Sequence, residues 1–295
     1  MKSCKPIYEF IVWENCNNNC QFCFQRNNPK ILNEEERIKS LNNVIKFIEN
    51  GKFEKGSHLL IVGGEIFHIK SEFEQINLIE FYKKIKQYMK DGIIDLLYIN
   101  TNLLYESYSL LWEVLDIFVD DGFGSRIRFT TSYDIEGRFK THDDFVRFSK
   151  NLKETREKYP NISMVVNTIL TKEVCRLLTT AEYKWDIKRA MEDWGCWINL
   201  IPYIIYDDKL TPKRSDIFDA LLRVDEQIDG YLKRYIENLD LDQDKYVYTY
   251  DKNKQEFLLC KSEENKCGHS INFTRYSNKG SCYICDLKRA FNGRI

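Results

Sequence analysis

Ile7-Tyr-Glu-Phe-Ile-Val-Trp13 runs directly into Glu-Asn-Cys16-Asn-Asn-Asn-Cys20-Gln-Phe22-Cys23. An apolar run of strand length thus ends in a loop that carries three thiols. Five further runs of this kind follow: His58–Val62, Leu96–Asn100, Arg126–Ser132, Ser163–Leu170 and Cys196–Pro202. Between them, apolar residues recur at helical spacing over Glu34–Asn50, Phe73–Lys90, Ser107–Val119, Asp143–Lys158 and Lys172–Trp194. Asn33 before three glutamates marks a helix start, because acidic side chains favour the positive end of the helix dipole. Alternating β and α segments predict parallel strands joined by right-handed crossovers. Six units fall short of a closed eight-stranded barrel of about 250 residues. The expected fold class is α/β: a partial (β/α)6 TIM-type barrel over residues 1–205, with a small C-terminal Cys-rich metal-binding appendage. Residues 206–240 read as a helical connector, in which Thr211-Pro212 opens a helix running to about Asn238. Residues 241–295 form the appendage, where Tyr246, Tyr248 and Tyr250 alternate as one face of a strand.

The 295 residues carry 44 Lys+Arg against 45 Asp+Glu, a formal net charge of −1. That balance argues against a cationic coat for long nucleic acids or for a membrane surface. No apolar run reaches membrane-spanning length, and the N-terminal stretch lacks the cleavage pattern of an export signal. A cytoplasmic protein is expected. Ten cysteines then stand out, because clustered thiols in a reducing compartment hold metal or do redox chemistry more often than they form disulfides. Seven of the ten fall in two groups, one near each end of the chain.

The first group, Cys16-x3-Cys20-x2-Cys23, follows the first expected strand, at the barrel end where active sites are built. Three thiolates are one short of the four that saturate an iron–sulfur cubane or a structural zinc. An open coordination position points to chemistry. On spacing alone, a zinc completed by a distant residue and three unconnected thiols stay open as alternatives.

This spacing, with the aromatic Phe22 before the third cysteine, resembles the signature of the radical S-adenosylmethionine (SAM) superfamily. The resemblance implies that Cys16, Cys20 and Cys23 are catalytic ligands of a [4Fe-4S] cluster. It further implies that SAM occupies the open iron and that Phe22 lies near its adenine. Gly63-Gly64-Glu65, ending the second strand, resembles the family segment that contacts the SAM amino group. Asn100-Thr-Asn102-Leu-Leu resembles a "T-N-G-x-L-L" segment but has Leu103 where the glycine would stand, and an Asx turn is the plainer reading of Asn102. Thr131-Ser132-Tyr-Asp134 resembles a stretch of the SPASM/twitch subgroup, with Ser132 toward SAM and Asp134 toward the substrate. His142, further along, reads as stabilising local structure or a helix start rather than as a ligand. Asn167 on the fifth strand is implied as a polar SAM contact, and the sixth strand, around Ile198, as a backbone contact to adenine.

The second group, Cys260, Cys267, Cys282 and Cys285, supplies the number of thiolates that closes a zinc shell or ligates a whole cubane. It resembles the cluster-binding extension of the SPASM/twitch subgroup, which implies a second [4Fe-4S] cluster. Zn2+ is the alternative, since a small appendage without a large core gains from a metal staple. Cys4, Cys175 and Cys196 read as small buried hydrophobes.

The resemblance implies a radical SAM enzyme that modifies a peptide or protein side chain, supplied with electrons by a flavodoxin or ferredoxin. Modification of a small molecule or a nucleic-acid base is the second expectation. A zinc-stapled binding protein on the same fold is the third.

Overall fold

The computed structural model describes residues 5–23, 29–105, 109–134, 137–180, 187–203, 209–240 and 245–259. Strands and helices alternate along them: β1 (Ile7–Ile11), α1 (Glu34–Glu49), β2 (Ser57–Val62), α2 (Glu72–Lys90), β3 (Ile94–Asn100), α3 (Ser109–Val119), β4 (Ile127–Ser132), α4 (His142–Lys158), β5 (Ser163–Leu170), α5 (Lys172–Thr179), α6 (Ile187–Trp194) and β6 (Trp197–Pro202). Then come α7 (Arg214–Gln227), α8 (Tyr231–Asp240), β7 (Lys245–Asp251) and β8 (Glu256–Leu259). No helix among the described residues is long and apolar enough to cross a membrane.

The helices begin where short polar side chains can take up orphan N–H groups. Asn33 accepts from the Glu36 N–H while the Glu36 carboxylate accepts from the Asn33 N–H, both at 2.9 Å. Thr141 and Asp144 make the same reciprocal pair, so α4 starts at His142, one residue before the expected stretch. Along α1, Leu41, Val44, Ile45 and Ile48 are buried, one apolar stripe laid against the sheet.

The sheet is open and eight-stranded, in the order β6-β5-β4-β3-β2-β1-β7-β8, and all pairings are parallel except the β7–β8 hairpin. Six strands in sequence order are the six expected units. Two elements differ from expectation. Lys172–Trp194 is not one helix: α5 stops at Thr180, whose backbone is extended, and α6 starts at Ile187. The connector holds two helices, parted by the extended Ile228 and by Gly230 at φ +70°.

The strand expected at Tyr246, Tyr248 and Tyr250 is β7, and it joins the barrel sheet itself, parallel to β1. Aromatic packing fixes that edge: the Tyr248 ring stacks on Phe10 at 5.2 Å and Phe257 meets Phe10 edge-on at 4.9 Å. Cys260, Cys267, Cys282 and Cys285, the second expected metal site, lie outside the described residues.

Candidate active site

The C-terminal ends of the parallel strands surround an open cavity of about 320 Å³. Cys16, Cys20 and Cys23 from the loop after β1 all line it, as do Gly63 and Gly64 after β2. Asn102, Thr131, Ser132 and Asn167 contribute from β3, β4 and β5, and Ile201, Pro202 and Tyr203 close it from β6.

The cysteine loop is held by backbone contact with β2. The Gly64 N–H donates to the Trp13 carbonyl at 2.9 Å and the Glu65 N–H to the Asn15 carbonyl at 2.8 Å. A Cβ on Gly64 would lie 2.0 Å from the Asn15 oxygen, so the chain's own backbone demands the glycine. Asn15 in turn clamps residue 32 across 17 residues, donating to its carbonyl and accepting from its N–H, each at 2.9 Å.

Within the loop, amide groups point at sulfur. The Asn18 backbone N–H donates to Cys16 Sγ at 3.4 Å, and the Asn18 side chain donates to Cys20 Sγ at 3.3 Å and to the Arg138 carbonyl at 3.1 Å. Asn102 Nδ2 lies 3.7 Å from Cys16 Sγ. The Asn102 Oδ1 accepts from the Leu104 N–H at 2.8 Å, so this residue makes the Asx turn and borders the thiols at once. Leu103 occupies the left-handed region at φ +57°, the backbone that a glycine would adopt at that place.

Glu65 does not line the cavity. It is 2% exposed and accepts from the Phe67 N–H, the Thr101 hydroxyl and the Asn102 N–H at 3.0, 2.9 and 2.6 Å. Its carboxylate ties the end of β2 to the turn after β3. Burial outweighs these donors and pushes its pKa up to about 7. Asp134 is also behind the wall. One oxygen accepts from the Ile169 N–H and the other from Arg138 Nε, both at 2.6 Å.

Arg138 is the residue that the sequence reading passed over. It lines the cavity, and its guanidinium lies 5.2 Å over the Phe22 ring. Its pairing with Asp134 at i,i+4 was the available signal. Its positive charge opposes the rise that burial imposes on Cys20, whose thiol is nonetheless pushed up to about 11. Phe22 packs with Cys20 and Tyr203 in a small cluster apart from the main core.

Ser132 and Asn167 are register partners on β4 and β5, which places both on the cavity rim. The buried Thr131 hydroxyl, also on the lining, has no partner among the described residues. Ile198 lies apart: it is fully buried in the core and its carbonyl accepts from the Tyr231 hydroxyl at 3.0 Å. Cys175 and Cys196 are likewise core residues, their thiols pushed up to about 12 and about 11 by burial. Cys4 lies outside the described residues.

No three His, Cys, Asp or Glu side chains among the described residues converge on a point that would hold a single metal ion. One zinc gathers its sulfurs at about 2.3 Å each, whereas a cubane takes each thiolate on a different iron. Three thiols lining one cavity are a donor set that could take a cubane, one thiolate to an iron. The donor set, the orphaned Thr131 hydroxyl and the polar rim fit a cluster with a polar cofactor beside it.

No protein-family model matches the sequence, and no curated protein is similar to it. Among solved structures, the chain is similar to SuiB of Streptococcus suis, crystallised bound to S-adenosylmethionine. The TM-score is 0.52, over 96% of this chain and 72% of that one, at 13% sequence identity. At such identity the likeness is one of fold: a mostly parallel α/β sheet flanked by helices.

Proposed function

We propose that the protein is a radical SAM enzyme, with Cys16, Cys20 and Cys23 as ligands of a [4Fe-4S] cluster and SAM beside it. The observation that carries the reading is the convergence of all three thiols on one cavity at the C-terminal strand ends. The fold shared with a protein solved with SAM adds support. When bound, the cluster and SAM supply a 5′-deoxyadenosyl radical that takes a hydrogen atom from the substrate.

The chain's own residues have separate tasks. The Gly63-Gly64 contact sets the height of the cysteine loop against β2. Asn18 and Asn102 direct N–H groups at the sulfurs, which steadies negative charge there. Thr131, Ser132 and Asn167 offer hydrogen bonds to the polar parts of SAM, and Arg138 sets a fixed cation against Phe22. Ile169, Ile201, Pro202 and Tyr203 form the apolar side that keeps water from a reactive carbon. In this reading the substrate is a peptide or protein side chain, and a flavodoxin or ferredoxin is the electron donor. A second cluster at Cys260, Cys267, Cys282 and Cys285 belongs to the same reading.

The test is anaerobic reconstitution with iron and sulfide, then incubation with SAM and dithionite. The wild type is expected to release 5′-deoxyadenosine, and the variant carrying Cys16→Ala, Cys20→Ala and Cys23→Ala to release none. Equal release by both would overturn the assignment.

A further inference from the structure

At the opposite, N-terminal ends of β4, β5 and β6 lies a second hollow of about 430 Å³. Arg128 is the second residue of β4, its Nη1 donating to the Ser125 and Ile127 carbonyls at 3.3 and 3.4 Å; Arg156 comes from the last turn of α4, and Arg234 reaches in from α8. No Asp or Glu is among its lining residues, and none of the three arginines forms an ion pair among the described residues. Arg156 Nη1 donates to the Pro160 and Ile162 carbonyls at 3.0 Å each. The Arg234 guanidinium lies 3.9 Å over the Trp197 ring, whose other neighbour is the stacked Tyr231. These contacts fix the guanidinium positions while neutralising none of the charge. The indole N–H of Trp197, also in the lining, has no hydrogen-bond partner among the described residues.

The surroundings do not cancel this field. The C-termini of α4 and α6 end nearby and bring about half a negative charge each. Against three full positive charges, about two remain. In a chain whose net charge is −1, such a concentration is local and not a consequence of composition. From Arg128 to Ser132 is four residues of strand, about 13 Å at 3.3 Å per residue. The hollow is therefore separate from the cysteine cavity.

We propose that this hollow is a binding site for an oxyanion, a phosphate or carboxylate group, held by the forks of Arg128, Arg156 and Arg234 with the Trp197 N–H as an additional donor. Guanidinium groups present paired donors that match either anion. The proposal stands independently of the radical SAM reading.

Isothermal titration of the full chain at 50 mM salt, with sodium phosphate in one arm and hexaglutamate in the other, tests it. The expected result is binding in at least one arm, weakened fivefold or more in both Arg128→Gln and Arg234→Gln and weakened again by 300 mM salt. Binding of phosphate alone identifies a free phosphate compound as the source, and binding of hexaglutamate alone an acidic peptide segment. Thermal melts of each variant confirm folding, and Arg128→Gln, which removes no stacking contact, carries the test if Arg234→Gln is unstable. No binding by the wild type in either arm, or equal binding by folded variants, overturns the proposal.

Discussion

Leu103 and Glu65 show how single residues meet two demands at the cavity's edge. Leu103 keeps a left-handed backbone at φ +57° and a fully buried side chain. The left-handed conformation costs a non-glycine residue about 1–2 kcal/mol, and truncating a buried leucine costs about 2–5 kcal/mol. Leu103→Ala keeps the strain and loses the packing, so it should unfold more readily than Leu103→Gly, which loses the packing and relieves the strain. Denaturant titration of the two checks this inversion of their ordinary order, and a more stable alanine variant would contradict it.

Glu65 makes a prediction about pH. Its folded pKa of about 7 lies above the ordinary 4.5. Between those values the folded protein keeps a proton that the unfolded chain has released, so this group's contribution to stability falls as pH rises through that window and levels above it. Glu65→Gln should remove that part of the slope of Tm against pH. It should also lose about 1–3 kcal/mol, because the amide puts a donor where a backbone N–H needs an acceptor. An unchanged slope in the variant would sink the explanation. The sequence identified Glu65 and Asn102 as special. It did not show that the Glu65 carboxylate faces inward, because three-dimensional neighbours from another strand's turn decide that.

At the scale of elements, Gly64 is the point where two strand ends touch. Gly64→Ala would drive a methyl into the Asn15 carbonyl and lift the cysteine loop off β2. The variant is expected to melt well below the wild type and to retain less than half of the iron after reconstitution. A normal melt with full iron would show that the contact does not position the loop. The alternation of strands and helices was legible because apolar periodicity is a local property of the chain. Thr180 and Gly230, which divide two stretches read as single helices, were less visible, since each break turns on one residue's backbone. The edge chosen by β7 was not legible at all. It depends on Tyr248 and Phe257 finding Phe10, more than 230 residues earlier in the sequence.

Over the whole molecule, the two ends of the parallel sheet differ in character. One end collects thiols, amides and small polar groups from the C-terminal ends of five successive strands and the loops after them, and the other collects arginines. The first end was readable from sequence because each motif directly follows a strand, and parallel topology brings all such loops to one side. Arg138 escaped notice because its role depends on Phe22, which meets it from the distant loop after β1. Ile198 failed to reach the site because it stands near the start of β6 with its carbonyl taken by the Tyr231 hydroxyl, while Ile201 and Pro202 at the strand's C-terminal end reach the cavity.

The most direct measurement is electron paramagnetic resonance of the reduced, reconstituted protein in which Cys260, Cys267, Cys282 and Cys285 are all alanine, recorded with and without SAM. We expect a reduced [4Fe-4S] signal, about four irons per chain, whose g-values move when SAM is added. A chain that binds no iron, or a signal indifferent to SAM, would contradict the account.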